Sequence, residues 1–153
     1  MKQQSKKLII SQLDKKLLTL MVLYGIMPAD GWVSVIRKTL NMSLQQLGNR
    51  MTITPQSVRD LERREKEKTV TIKTLSEAAE ALDMILVYGF IPKDGTLEKF
   101  IERKAYEKAR EIVGRTSTTM KLEDQENTRT RLDQAVTELA EEIKREMPKS
   151  LWD

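Results

Sequence analysis

The sequence predicts a mainly α fold, on three observations. Apolar residues recur at helical spacing through most of the chain. Charged residues make up 33% of the 153 positions, a level typical of solvated helices. Gly and Pro number 6 and 4, too few for a sheet sandwich with many tight turns. Hydrophobic residues, at 39%, suffice for a modest core. The length fits one domain, or one domain with an appendage.

Each element has its own signal. KKLIISQLDKKLLTLMVL (6–23) has apolar spacing compatible with a helix, and YGIMPADG breaks it through Pro28 and Gly31. WVSVIRKTL (32–40) puts Val33, Ile36 and Leu40 on one face. Asn41 ends that helix, because Asn tolerates the left-handed conformation of many helix C-caps. Ser43-x-x-Gln46 is a capping box opening the next helix, with Leu44, Leu47, Gly48 and Met51 inward. Thr54-Pro55 opens another, with Thr as N-cap and Pro in the first turn, where its missing N–H costs nothing. There Val58 and Leu61 point inward, and Gln56, Ser57, Arg59, Asp60, Arg63 and Arg64 stay outside.

EKEKTVTI reads as a charged loop. Thr74 to Leu82 is a helix with Leu75, Ala78, Ala79 and Leu82 at i, i+3, i+4 and i+7. The period then changes: MILVYGFIP (84–92) is a β-prone run that needs a partner strand, within the chain or across a dimer axis. Helical spacing returns over 97–113 (Leu97, Ile101, Ala105, Ala109, Ile112) and over 128–147 (Leu132, Ala135, Val136, Leu139, Ala140, Ile143, Met147). RTSTT marks a boundary or kink between them. Pro148 stops the last helix, and Leu151-Trp152 should dock on an apolar surface. YGIMPADG (24–31) echoes in YGFIPKDG (88–95), as a chance match of turns or as a quasi-symmetric pair.

The composition narrows the chemistry. Without Cys there is no disulfide scaffold and no thiolate zinc site, and without His the commonest general base and metal ligand are missing. No metal and no cofactor is expected. A cytoplasmic location fits, since the apolar run after MKQQSKK is too short for a signal peptide and nothing approaches a membrane span. The best catalytic candidates, Glu123, Asp124 and Glu126, lie in a very polar stretch where carboxylates rarely shift enough for acid–base work. No phosphate loop or nucleophile elbow is present, so the chain is expected not to be an enzyme.

The net charge of +4 is unevenly spread. Residues 1–30 carry about +3 and 31–75 about +5, against about −3 over 76–96 and about −1 over 97–153. A basic first half suits a polyanion, or is a solvated basic face. It surrounds SLQQLGNRMTITPQSVRDLERRE (43–65), two short helices broken by TITP. Packed between a preceding and a following helix, they form a helix-turn-helix whose second helix presents its outer face to the DNA major groove. Gln can bond adenine twice, Arg guanine, Asp the cytosine amine and Ser either edge.

That stretch resembles the helix-turn-helix of phage-repressor-type DNA-binding proteins, the xenobiotic-response-element (XRE) or Cro-like family, over roughly residues 32–83. The resemblance implies an XRE/Cro-like helix-turn-helix core and a recognition helix starting at Thr54. The family's base-contact positions fall on Pro55, Gln56, Ser57 and Asp60. Pro55 has no side-chain donor, so readout should rest on Gln56, Ser57 and Asp60, with Arg59 added. The family also pairs an Arg of the first helix with the Glu after the recognition-helix Leu, here Arg37 and Glu62. The pair's expected role is structural, with plain surface charge as the other reading. Two departures stand out. Gly48 replaces a usual Ala, and Thr52 stands where Gly is frequent, although a β-branched residue disfavours φ > 0. Leu44 replaces a phosphate-anchoring Gln, a role left to Gln45 or Asn49.

Over nearly the whole chain, GWVSVIRKTL, TVTIKTLSEAAEALDMILVYGFIP, MKLEDQ and the terminal LWD resemble the family called mobile mystery protein A. The resemblance implies a small bacterial regulator of mobile elements, paired with a Fic-domain partner of the mobile mystery protein B type. It would be an antitoxin and operon autorepressor. Inhibitory helices of Fic antitoxins carry Ser/Thr-x-x-x-Glu-Gly/Asn. The nearest match, Leu122-x-x-x-Glu126-Asn127, fails at its first position, and Glu126 is a toxin contact or solvated surface charge.

The expected organisation is an N-terminal helix and turn (1–30), a helix-turn-helix domain (31–83) within a five-helix-like core, a β segment (84–96) and C-terminal helices (97–153). A homodimer joined through strand 84–92 would read a palindromic operator, with Gln45, Asn49, Arg50, Arg63, Arg64, Lys66, Lys68 and Lys73 on phosphates. Three functions compete: a repressor that also sequesters a toxin, a repressor without a toxin, and a protein-interaction module without DNA binding.

Overall fold

The computed structural model describes residues 2–117 and 125–153, with side chains for 2–116 and 129–153. Among these residues there are seven α-helices and no strand. The helices are α1 (Lys2–Leu20), α2 (Trp32–Thr39), α3 (Leu44–Met51), α4 (Pro55–Lys66), α5 (Ile72–Ala81), α6 (Leu97–Ser117) and α7 (Gln125–Glu146). The fold is mainly α. The chain divides into two compact units, Val22–Gly89 and Met1–Met21 with Phe90–Asp153.

The unit Val22–Gly89 holds α2 to α5. Helices α2 and α3 have 8 residues each, too short to persist alone in water. Their ends are therefore tied. Ser43 and Gln46 close a capping box, with Gln46 N–H donating to Ser43 Oγ at 3.1 Å and Ser43 N–H to Gln46 Oε1 at 2.8 Å. Thr54 caps α4 by accepting from Ser57 N–H at 3.0 Å. Thr71 caps α5 by accepting from Thr74 N–H at 3.1 Å. That cap starts α5 at Ile72, two residues before the helix read from apolar spacing. Asn41, at φ 54, takes the left-handed position after α2. Val33, Leu47, Val58, Leu61, Ala78 and Leu82 form the core. Each such large aliphatic side chain contributes roughly 1.5–3 kcal/mol on full burial.

The other unit is built on α6 and α7, whose shared seam is Ile101, Ala105, Ala109, Val136, Ala140 and Ile143. Alanines at 105, 109 and 140 let long helices approach closely. Leu151, in the 3-10 turn Lys149–Trp152, is 3% exposed and belongs to this core. Trp152 stacks on Phe100 with ring centroids 5.4 Å apart. Helix α1 packs here too. Ile10 lies against the cluster, and Asp14 accepts from the N–H groups of Leu97 (2.7 Å) and Glu98 (3.2 Å) at the start of α6. Helix α6 continues through Arg115 and Ser117, so the first part of RTSTT is helical; 118 and 119 lie outside the described residues.

Two expectations are not confirmed among the described residues. Val22–Gly89 contains four α-helices rather than a five-helix-like core, because Ile10 and Asp14 bind α1 to the helices after Phe90. Residues 84–92 form no strand here, and no other strand is present among the described residues to pair with them.

The repeated octapeptides fold alike in their Pro-x-Asp-Gly halves only: Gly25 lies in a turn at φ 86, whereas its counterpart Gly89 does not take a positive φ. Gly31 N–H donates to Pro28 O at 3.1 Å, and Gly95 N–H to Pro92 O at 3.0 Å. Both glycines hold φ near 85°, at 84° and 87°. A helix follows each turn, and its first two N–H groups are bonded by one distant carboxylate.

Candidate nucleic-acid interface

Helices α3 and α4 are joined by residues 52–54 alone. Two residues make this turn possible. Thr52 sits at φ 57, ψ 41, the left-handed conformation expected of Gly there, despite the steric cost for a β-branched residue. Gly48 lets the chain return close to α3: its carbonyl accepts from Ile53 N–H at 2.9 Å. A Cβ on Gly48 would stand 2.7 Å from Ile53 O, so the Ala common in the resembling family does not fit without a shift.

Helix α4 is held by one face. Val58, Leu61, Glu62 and Glu65 follow the i, i+3, i+4, i+7 pattern, and all four are engaged. Val58 and Leu61 are buried in the core. Glu62 takes Arg37 in two bonds, Nε to Oε1 at 2.5 Å and Nη2 to Oε2 at 3.2 Å. Arg37 Nη1 donates to Met42 O at 2.8 Å. The two side chains are only 10% and 12% exposed, so the pair is desolvated and geometrically fixed. One turn on, Glu65 accepts from the N–H groups of Trp32 (2.8 Å) and Val33 (3.0 Å). Those are orphan donors of α2, whose N-cap is Gly31 and has no side chain to offer. Gly31 is demanded by its backbone at φ 84, and a Cβ there would also crowd the Glu65 carboxyl, 2.8 Å away.

The opposite face of α4 is left outward. Gln56, Ser57, Arg59, Arg63 and Arg64 are exposed and Asp60 is half-buried. Gln56 and Arg59 have no side-chain partner among the described residues. The Ser57 and Thr54 hydroxyls lie 2.9 Å apart. Asp60 is bonded by Arg63 and, at 3.2 Å, by Arg64 Nε. The Arg63 hydrogen bond holds the Asp60 carboxyl below the usual carboxylate range, and the same bond raises Arg63. Arg63 also reaches Glu67 at 2.9 Å. These exposed pairs rearrange cheaply.

The phosphate candidates differ in availability. Gln45 Nε2 donates to Asn49 Oδ1 at 2.8 Å, so this pair is self-satisfied. Arg50 donates to Ala81 O at 3.1 Å and lies 3.6 Å from Asp83. Lys66 bonds Asp30 at 2.9 Å, which raises the amine and lowers the carboxyl. Lys68 and Lys73 are exposed and have no partner among the described residues. The Glu126 side chain, with Glu123 and Asp124, lies outside the described residues.

Among the described residues no group of three or more His, Cys, Asp or Glu could hold a metal ion. No described helix is long and apolar enough to cross a membrane. Glu65 and Asp14, the two cross-helix caps, escaped the sequence reading. Their signal was indirect: α2 starts after a glycine that cannot cap, and Glu65 lies on the inward stripe three residues past Glu62.

Compared with protein-family models, curated proteins and solved structures, the chain matches none.

Proposed function

We propose that this chain is a sequence-specific DNA-binding repressor of the XRE/Cro-like helix-turn-helix type, with α4 as recognition helix. One observation carries the reading. Helix α4 spends its inward carboxylates and both buried aliphatics on fixing itself, and keeps Gln56, Ser57, Arg59 and Asp60 outward. A helix so rigidly mounted, with base-reading side chains facing out, suits insertion into a major groove. Arg50, Arg63, Arg64, Lys66, Lys68 and Lys73, with Gln45 and Asn49, would take phosphates. The repressor would act as a homodimer on a palindromic operator. By its resemblance to mobile mystery protein A, it would also serve as antitoxin and autoregulator of a Fic-type operon. The Arg37–Glu62 pair serves structure, because its bonds are already closed within the unit.

A second reading, an interaction module without DNA binding, draws on the exposed apolar residues Ile85, Val87, Tyr88 and Phe90. Fluorescence anisotropy on the gene's own upstream DNA at two salt concentrations, with unrelated duplex as competitor, separates the two. Tight, salt-sensitive binding that the competitor does not displace supports the repressor. Equal binding to both duplexes, or none, leaves the interaction module.

A further inference from the structure

Residues 84–90 form a largely exposed apolar stretch. Ile85 is 90% exposed and Phe90 83%. No backbone N–H or C=O of residues 85–91 is bonded among the described residues. Residues 85–91, none of them charged, thus present unbonded backbone and largely exposed apolar side chains together. Such an edge is a template for another strand. The question is which strand, and in what register.

Three details of the chain answer together. First, Met84 N–H is already spent on Ala79 O at 2.8 Å, and Pro92 has no N–H at all. In an antiparallel ladder, alternate residues face the partner with both backbone groups. Residues 84 and 92 share one parity, so neither interrupts a ladder in which 85, 87, 89 and 91 face the partner. Second, that parity allows a two-fold axis through Tyr88, as a non-hydrogen-bonded pair with its own counterpart. Ile85 then stands opposite Ile91 and Val87 opposite Gly89. Third, this register brings the flanking charges to the same ends of the ribbon, Asp83 in the left-handed turn before the run and Lys93 in the turn after it. Asp83 of each copy then lies near Lys93 of the other, once on each side of the axis. Asp83 is exposed, with Arg50 3.6 Å away, and Lys93 is exposed without a partner among the described residues. Moving the axis to Val87 or Gly89 keeps the parity but loses the charge pairing.

We propose that residues 84–92 of two copies pair as an antiparallel ribbon about a two-fold axis through Tyr88, with Asp83 of each copy beside Lys93 of the other. The inference rests on the dimeric reading above and specifies its interface. The ribbon is isologous, as a closed dimer requires.

The chain has no cysteine, so one substitution supplies one thiol. At a non-hydrogen-bonded pair the Cα atoms stand about 4.5 Å apart, within disulfide reach. Tyr88→Cys should therefore crosslink under mild oxidant at least tenfold faster than Ile85→Cys, whose two copies would be roughly 20 Å apart along the ribbon. Asp83→Lys should weaken dimerisation about tenfold in sedimentation at low salt, and adding Lys93→Asp should restore it. Equal crosslinking at both positions, a monomer at all concentrations, or a double variant no better than Asp83→Lys would overturn the ribbon. These measurements contain no DNA. A crosslinked dimer that ignores DNA would sink the repressor reading alone, and a monomer that binds its operator would sink the ribbon alone.

Discussion

The two units use the same opening device and then diverge. In each, a Pro-x-Asp-Gly turn leads into a helix capped by a carboxylate from elsewhere, Glu65 for α2 and Asp14 for α6. Beyond the cap, α2 is 8 residues and α6 is 21. The long helix finds its stability along a continuous seam of Ile101, Ala105 and Ala109 against α7. The short ones cannot, and Val22–Gly89 adds polar ties to its apolar core: a capping box, a desolvated ion pair and the borrowed cap. A unit held by directed bonds fixes the orientation of each short helix. That orientation is what a protruding helix such as α4 needs.

The largest test of this contrast removes the ion pair. Glu62→Ala leaves Arg37 buried without its partner, a change that costs about 3–5 kcal/mol. Thermal melts should show a strongly lowered first transition, with hydrogen exchange rising over α2 to α4 and not over α6 and α7. A uniform loss across both units would mean that the polar ties do not belong to one unit.

The converse test overfills the seam. Ala109 is fully buried, and Ala109→Leu should cost about 1–3 kcal/mol by overpacking. Exchange should rise in α6 and α7, while α2 to α5 stay protected. Loss of protection in α4 instead would show that the seam supports the short helices as well.

How much of this was legible beforehand follows from the range of each interaction. The capping box at Ser43, the Thr54 cap and the inward pair Val58 and Leu61 are local, and the sequence spells them within four residues. The Arg37–Glu62 pair spans 25 residues and came from family resemblance, not from spacing. The Glu65 and Asp14 caps span 32 to 84 residues and have no local mark. The 84–92 run was read as β-prone from side chains alone. Whether such a run becomes a strand depends on a partner, and the described residues of one chain do not supply it.

The paired caps offer a smaller and sharper comparison. Removing either carboxylate, in Glu65→Ala or Asp14→Ala, should cost roughly 0.5–2 kcal/mol, the usual worth of an N-cap. The consequences should still differ. Fraying one turn removes nearly half of α2 but a sixth of α6, so only Glu65→Ala should also weaken specific DNA binding. Equal effects on DNA binding would argue against α2 as the mount of α4.

The smallest effect on stability falls on the outward face and bears most directly on function. Asp60 occupies Arg63 and Arg64. Asp60→Asn removes the charge that holds them, and because all three side chains are at the surface, stability should hardly change. DNA binding should change more. Freed arginines contact phosphates without regard to sequence, so affinity for unrelated duplex should rise several-fold, with a steeper salt dependence. If Asp60 reads a base, as proposed, affinity for the operator should rise less, because that acceptor is lost. Lower pH mimics the change. The folded pKa of Asp60 lies below its unfolded value, so its contribution is complete above the ordinary carboxylate range and is lost as pH falls through the lowered one. Discrimination should therefore be flat at neutral pH and decline only in acid. An Asp60→Asn protein that discriminates as well as the parent would remove Asp60 from the reading face and leave the work to Gln56, Ser57 and Arg59.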